Sequence, residues 1–154
     1  GGALLELSHE LDYLNWFMGD LYLQHSWLRT SEELGLEVED IADLVLLSEA
    51  NVYVSVHLDF IQKSPQRRCE FIGQNGRLEW DLIGNTVIYY HAGGREIVFS
   101  EPGYDKNGMY LDMLDEFENL APGSVSKLAT ITSATKIVDL IDEAKRLNKS
   151  GQHR

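Results

Sequence analysis

The spacing of apolar and polar positions changes period twice along the chain. Leu4, Leu7, Leu11, Leu14 and Met18 recur at three- and four-residue steps, which puts them on one side of an α-helix. Gly19 is a stop signal, so the pattern predicts one helix over residues 3–18. Over residues 52–61 the period is two. Val52, Val54, Val56, Leu58 and Phe60 alternate with Tyr53, Ser55, His57, Asp59 and Ile61, as in a long two-faced strand. Residues 42–48 are also strand-like, with Glu49, Ala50 and Asn51 turning between the two, and residues 21–30 form a further strand. Shorter strands are expected at 68–72, 77–82, 86–91 and 96–99. Gln74, Asn75 and Gly76 form one hairpin turn, and Ala92, Gly93 and Gly94 another, because Asn and Gly tolerate positive φ.

The helical period then returns. Tyr110, Met113, Leu114, Phe117 and Leu120 mark one amphipathic helix, closed by Pro122 and Gly123. Ile131, Ala134, Val138, Ile141 and Ala144 mark a second, with Thr130 as its N-cap. Helices segregated from an antiparallel sheet make the class α+β. The expected architecture is an open-faced, mainly antiparallel sheet of about six or seven strands, with helices packed on one face. Without an internal repeat or a long linker, residues 1–154 read as a single domain.

Composition narrows the function classes. Apolar residues make up 44% of the 154 and charged residues 25%, ordinary values for a globular domain. The formal charge of −12 argues against nucleic acid, whose phosphates need clustered Lys and Arg, and against an anionic membrane surface. Cys69 is the only cysteine, so an intrachain disulfide and a thiolate metal cluster are excluded; a reducing, cytoplasmic setting is expected. The sequence starts on Gly1 and Gly2 rather than Met, as a trimmed chain or a domain cut from a longer protein would.

The first helix carries more than a core stripe. On a wheel of 100° per residue, Leu5, Glu6, His9, Asp12, Tyr13 and Trp16 fall within about 60° of His9, opposite the leucines. Charged residues on an outer face are ordinary, but Leu5, Tyr13 and Trp16 together mark a contact surface. His9 is the one residue there that titrates near neutral pH, and Glu6 or Asp12 could orient it.

The stretch GGALLELSHELDYLNWFMG resembles the helix that opens the C-terminal domain of the glucose–fructose oxidoreductase / inositol dehydrogenase (Gfo/Idh/MocA) family, with its pattern G-G-x-L-x-D-x-G-x-H-x-x-D, an aromatic and Gly. VHLDFIQKSPQRRCEFIGQNGRLEWDL is similar to that family's long strand, Arg-containing turn and I-x-G-x-x-G-x-[LI] hairpin. YLDMLDEFENL and KIVDLIDEAKRLNKSGQ are similar to its two closing helices. The resemblance implies the substrate-binding and oligomerisation domain of an NAD(P)-dependent sugar, sugar-nucleotide or polyol dehydrogenase. Its partner is a Rossmann domain of the same protein, which is absent from this chain. His9 is implied as the proton acceptor or donor at the substrate hydroxyl, with Glu6 orienting it. Asp12, Tyr13 and Trp16 line the face toward substrate. The sequence departs from the pattern where the family has Asp four residues before its His: here Leu5 stands there, and Glu6 is the nearest acid.

NAD or NADP would be bound mainly by the missing domain. The chain has no strand–G-x-G-x-x-G–helix, the fingerprint that sets a pyrophosphate on a helix N-terminus, and no E-K-P segment. No cofactor or metal is expected for this chain alone, and it should not transfer hydride. The family's use of its open sheet face implies a homo-oligomer. Arg67, beside Arg68 after Pro65, could grip a substrate phosphate or carboxylate, or only pair at a surface turn. His57 and Asp59 share a polar strand face with Tyr53 and Ser55, as solvated residues or as part of an interface. The alternative function is a stand-alone protein- or sugar-binding module that keeps the fold without redox chemistry.

Overall fold

The computed structural model describes residues 1–121, 124 and 128–151. They form seven strands and four helices in the order α1 (Ala3–Glu6), α2 (His9–Met18), β1 (Leu21–Arg29), β2 (Ile41–Ser48), β3 (Tyr53–Asp59), β4 (Arg68–Gly73), β5 (Gly76–Asp81), β6 (Thr86–His91), β7 (Gly94–Ser100), α3 (Lys106–Asn119) and α4 (Ile131–Gly151). The class is α+β and all strand pairing is antiparallel, as the periods predict. The strands divide into a three-stranded sheet, β1-β2-β3, and a four-stranded one, β4-β5-β6-β7. These belong to two compact units, Gly1–Gln62 with Ala129–Arg154, and Lys63–Leu128.

In the first unit, alternation along the strands makes the core. Leu28, Ala42, Leu44, Leu46, Val54, Val56 and Leu58 point to one face and are buried. Against them lie Leu4 of α1, Leu11 and Leu14 of α2, and Ile137, Leu140, Ile141 and Ala144 of α4. Sheet and helices are also joined by polar groups. The Ser26 hydroxyl donates to the Ala144 carbonyl (2.9 Å), and Asn148 both accepts from Leu28 N (3.0 Å) and donates to Leu28 O (3.3 Å). Asn148 thus satisfies the free backbone edge of β1. A bulge between Leu23 and His25 keeps the inward set in phase along β1.

Two helix boundaries are settled by hydrogen bonds. Ser133 N donates to Thr130 Oγ1 (3.1 Å) and Thr130 N to Ser133 Oγ (2.9 Å), a reciprocal cap that starts α4 where the sequence predicts. The opening helix, expected as one piece, is two. At Leu7 and Ser8 the bonding tightens to three-residue steps, Ser8 N to Leu5 O, Glu10 N to Leu7 O and Leu11 N to Ser8 O. The first segment is tied down separately, by Ala3 N donating to Glu39 O (2.7 Å) and by the wholly buried Leu4.

The second unit is a meander of hairpins. Gly73 pairs with Gly76 across one turn and His91 with Gly94 across another. Gly76 has φ +153, and a Cβ there would collide with the Tyr90 carbonyl, so only Gly allows the strands to close. Trp80 is half-buried between its Cα partners Cys69 and Val87. Helix α3 starts at Asp105, whose carboxylate accepts from Asn107 N (2.9 Å). It presents Tyr110, Met113, Leu114 and Phe117 as exposed residues. Pro122 and Gly123, the expected stop, lie outside the described residues. No described helix is long and apolar enough to cross a membrane.

Candidate functional site

The break at Ser8 makes His9 the first residue of α2, and this decides its neighbours. Its ring leans on the next residue: His9 Nε2 is 3.1 Å from Glu10 Oε1. Successive residues on a regular helix point about 100° apart and do not face each other. At the first turn, where the chain enters by a tight step, they can. The His9 side chain is 51% exposed while that of Glu10 is 11% exposed, so a solvent-facing imidazole is backed by a largely buried carboxylate. Glu10 was not among the sequence candidates. The signal that could have found it is the Ser8 position, which invites a break and voids the wheel across it.

The other candidates can now be placed. Glu6 ends α1 and is exposed; its carboxylate turns back toward Gly1 and makes no ion pair with His9. Asp12 and Tyr13 are half-buried on α2. Asp12 and Glu10 both sit in the first turn, where negative charge is favoured by the helix dipole. Trp16 is 68% exposed and packs on Phe17 with ring centroids 4.8 Å apart; Tyr13 meets Phe17 edge-on at 6.3 Å. Phe17, which the wheel did not single out, therefore joins the two aromatic candidates into one cluster. Arg67 belongs to the second unit, at its start, with its carbonyl accepting from Leu82 N (3.0 Å).

The chemistry of His9 follows from this geometry. The Nε2 contact with Glu10 is an ion pair when the ring is protonated, and among the described residues Nδ1 has no partner. The pair can take a proton from a hydroxyl presented at Nδ1, and Glu10 would stabilise the imidazolium that forms. Both Gly73 with Gly76 and Gly93 with Gly94 lie at hairpin turns rather than at a helix N-terminus, so they do not form a pyrophosphate cradle. No group of three or more His, Cys, Asp or Glu among the described residues could hold a metal ion. A separate cleft of about 230 Å³ is lined by Asn15, Asp20, Tyr22, Lys136, Asp139 and Glu143. It does not include His9, and its Lys136 is paired to Asp20 at 2.6 Å.

No family model matches the sequence, and no curated protein matches it. Solved structures do match the fold. One is UDP-N-acetylglucosamine 3-dehydrogenase from Acidithiobacillus ferrooxidans, with TM-score 0.70 and 16% identity over 92% of this chain and 44% of that one. Another is an oxidoreductase from Agrobacterium radiobacter in complex with NAD+, L-tartaric acid and magnesium, with TM-score 0.73 and 15% identity over 94% of this chain and 46% of that one. A third is a 3-ketoreductase from Actinomadura kijaniata in complex with TDP-benzene and NADP, with TM-score 0.71 and 18% identity over 94% and 46%. The 154 residues thus span somewhat under half the length of each, and the fold of this chain is that of one part of these proteins.

Proposed function

We propose that this chain is the C-terminal domain of a Gfo/Idh/MocA-type oxidoreductase. Its role is to bind a sugar, sugar-nucleotide or polyol substrate and to assemble the enzyme through its open sheet face. The observation that carries the reading is coverage: more than nine-tenths of this chain superposes on less than half of each oxidoreductase. The other half of such an enzyme would hold the dinucleotide, for which this chain's glycines do not fit. The chain's own contribution is then the proton. His9, held by Glu10, accepts it from the substrate hydroxyl in the oxidising direction and returns it in the reverse. Tyr13, Trp16 and Phe17 offer ring faces on which the C–H surface of a sugar can stack.

Two measurements test this. A fluorescence titration of the 154-residue chain with NADH is expected to give no saturable signal, and clear saturation would sink the assignment to a substrate half. The reading frame upstream of Gly1 is expected to encode a strand–G-x-G-x-x-G–helix. A Met codon within a few residues, with a native mass near that of this chain, would instead establish a module that keeps the fold without the redox partner.

A further inference from the structure

The face of the three-stranded sheet turned away from α1, α2 and α4 has an ordered surface. Its residues lie in rows across the strands: Tyr22, Leu47 and Tyr53; His25, Val45 and Ser55; Trp27, Asp43 and His57; Arg29, Ile41 and Asp59. Tyr22, Trp27 and Tyr53 are 53%, 48% and 68% exposed, a large aromatic area for one side of a small sheet. Among them His57 is held on both ring nitrogens. Nδ1 is 2.7 Å from Asp43 Oδ1 on β2, and Nε2 is 3.1 Å from Asp59 Oδ2 on β3.

A neutral imidazole has one N–H, so it can satisfy only one of these carboxylates and turns a lone pair on the other. Both contacts are attractive only in the imidazolium. The other groups around the cluster are the uncharged Trp27, next in its row, His25 and Arg29 along β1, Ser55 and Tyr53 along β3, and Gln62, which donates to Asp59. With His57 protonated and His25 neutral, Arg29 and His57 balance Asp43 and Asp59, and the face carries no net charge. When His57 loses its proton, the face gains one negative charge.

The whole chain carries −12, so two copies repel each other across most approaches. A basic partner would be drawn to the acidic surfaces. The neutral, aromatic face is the one suited to a like-charged copy. Resting on the assembly reading above, in which this face meets a second copy of the chain, we propose that the proton on His57 controls that contact. A two-fold contact uses the same patch twice, so each lost proton places a further negative charge in one shared interface. Hydrogen bonding from Asp43 raises the His57 pKa above the usual imidazole value, which keeps the assembling form populated near neutral pH.

Sedimentation equilibrium of the 154-residue chain between pH 5.5 and 8.5 at fixed ionic strength tests the proposal, with circular dichroism confirming that each variant is folded. The dimer dissociation constant is expected to rise about a hundredfold across this range, about tenfold for each of the two His57 protons if each pKa shifts by one unit on assembly. His57→Gln should show the weak, high-pH value throughout. Asp43→Asn should stay tight at pH 8.5, because one carboxylate fewer restores the balance without the proton. Trp27→Glu should be monomeric at every pH. A wild-type chain that is monomeric throughout overturns both the assembly reading and the proposal. Assembly that does not change with pH, that changes equally in His57→Gln, or that survives in Trp27→Glu overturns the proposal and leaves assembly standing.

Discussion

His9 Nε2 lies 3.1 Å from Glu10 Oε1, so the imidazole on the exposed flank of α2 is backed by the carboxylate of the very next residue. Such a pair forms only because α2 begins at His9. One turn further along a regular helix, neighbours in sequence would diverge. The consequence is a His with one nitrogen beside a carboxylate and, among the described residues, the other without a partner.

On the proposed function, in a protein that carries the nucleotide-binding half, His9→Ala is expected to lower kcat by about 10²- to 10⁴-fold, the range of a lost general acid or base. Glu10→Gln should cost less, on the order of tenfold, as expected of a group that orients another. Its loss should fall on kcat with KM little changed, because Glu10 touches His9 rather than substrate. Glu6→Gln should change neither by more than about twofold, given that its carboxylate does not meet the ring. Steady-state kinetics of the three variants separate these roles, and a Glu6 effect larger than the Glu10 effect would reverse the assignment.

The position of α1 depends on a glycine. Gly2 has φ +107, and a Cβ there would run into the Glu39 carboxylate, which is held 3.0 Å from Lys145 Nζ. Gly2→Ala combines backbone strain with displacement of a paired carboxylate, and a loss of about 1–3 kcal/mol is expected. Urea unfolding of the variant measures it. A midpoint equal to wild type would mean that Glu39 swings away freely and that α1 is not anchored there.

Much of this could be read from the pattern of side chains, and the exceptions share a cause. The alternation over residues 52–61 gave the buried Val54, Val56 and Leu58 and the exposed Tyr53, Ser55 and His57, but the strand is shorter than expected, Tyr53–Asp59, and Val52, expected inward, is exposed. Thr130 declared its cap because Ser133 stands three residues on. What periodicity could not show was where the period itself fails. A wheel drawn through Ser8 placed Glu6 beside His9, but the helix breaks between them and the Glu6 carboxylate lies toward Gly1. The division of seven strands into sheets of three and four was equally invisible, since each strand's own alternation says nothing about which neighbour lies beyond the edge. Phe17 was missed because it lies off the His9-centred face, although its ring reaches both Tyr13 and Trp16.

A buried acid contributes to the low-pH limit. Asp40 is fully buried at the start of β2, where its carboxylate accepts from Ser31 N (2.8 Å) and from the Ser31 hydroxyl. The hydroxyl bond holds its pKa below the usual carboxylate value, against the opposing effect of burial. A carboxyl whose folded pKa is depressed stabilises the fold above its unfolded value of about 3.9. That contribution fades as pH drops from there toward the folded pKa. The melting temperature should therefore fall as pH is lowered below about 4. Asp40→Asn should be less stable at neutral pH and should show a shallower acid dependence. An equal slope in both proteins would assign the acid sensitivity to other carboxylates.

The alkaline side has the opposite sign and a different residue. His57 is raised above the ordinary imidazole value, first by its hydrogen bond to Asp43, then by the charges of Asp43 and Asp59, with burial opposing. A group whose folded pKa is raised stabilises the fold fully below its unfolded value, about 6.5, and the contribution is lost as pH climbs through the folded value. His57 is more than half exposed, so solvent screens the pair and the effect on stability is small. Its titration is the better readout. Imidazole chemical shifts followed from pH 5 to 9 should place the His57 midpoint above 6.5, and Asp43→Asn should bring it down, because the carboxylate that most favours the imidazolium is then gone. A midpoint at or below 6.5 in the wild-type chain would show that the two carboxylates do not hold the ring as an imidazolium, and the charge balance on the open sheet face would have to be redrawn without it.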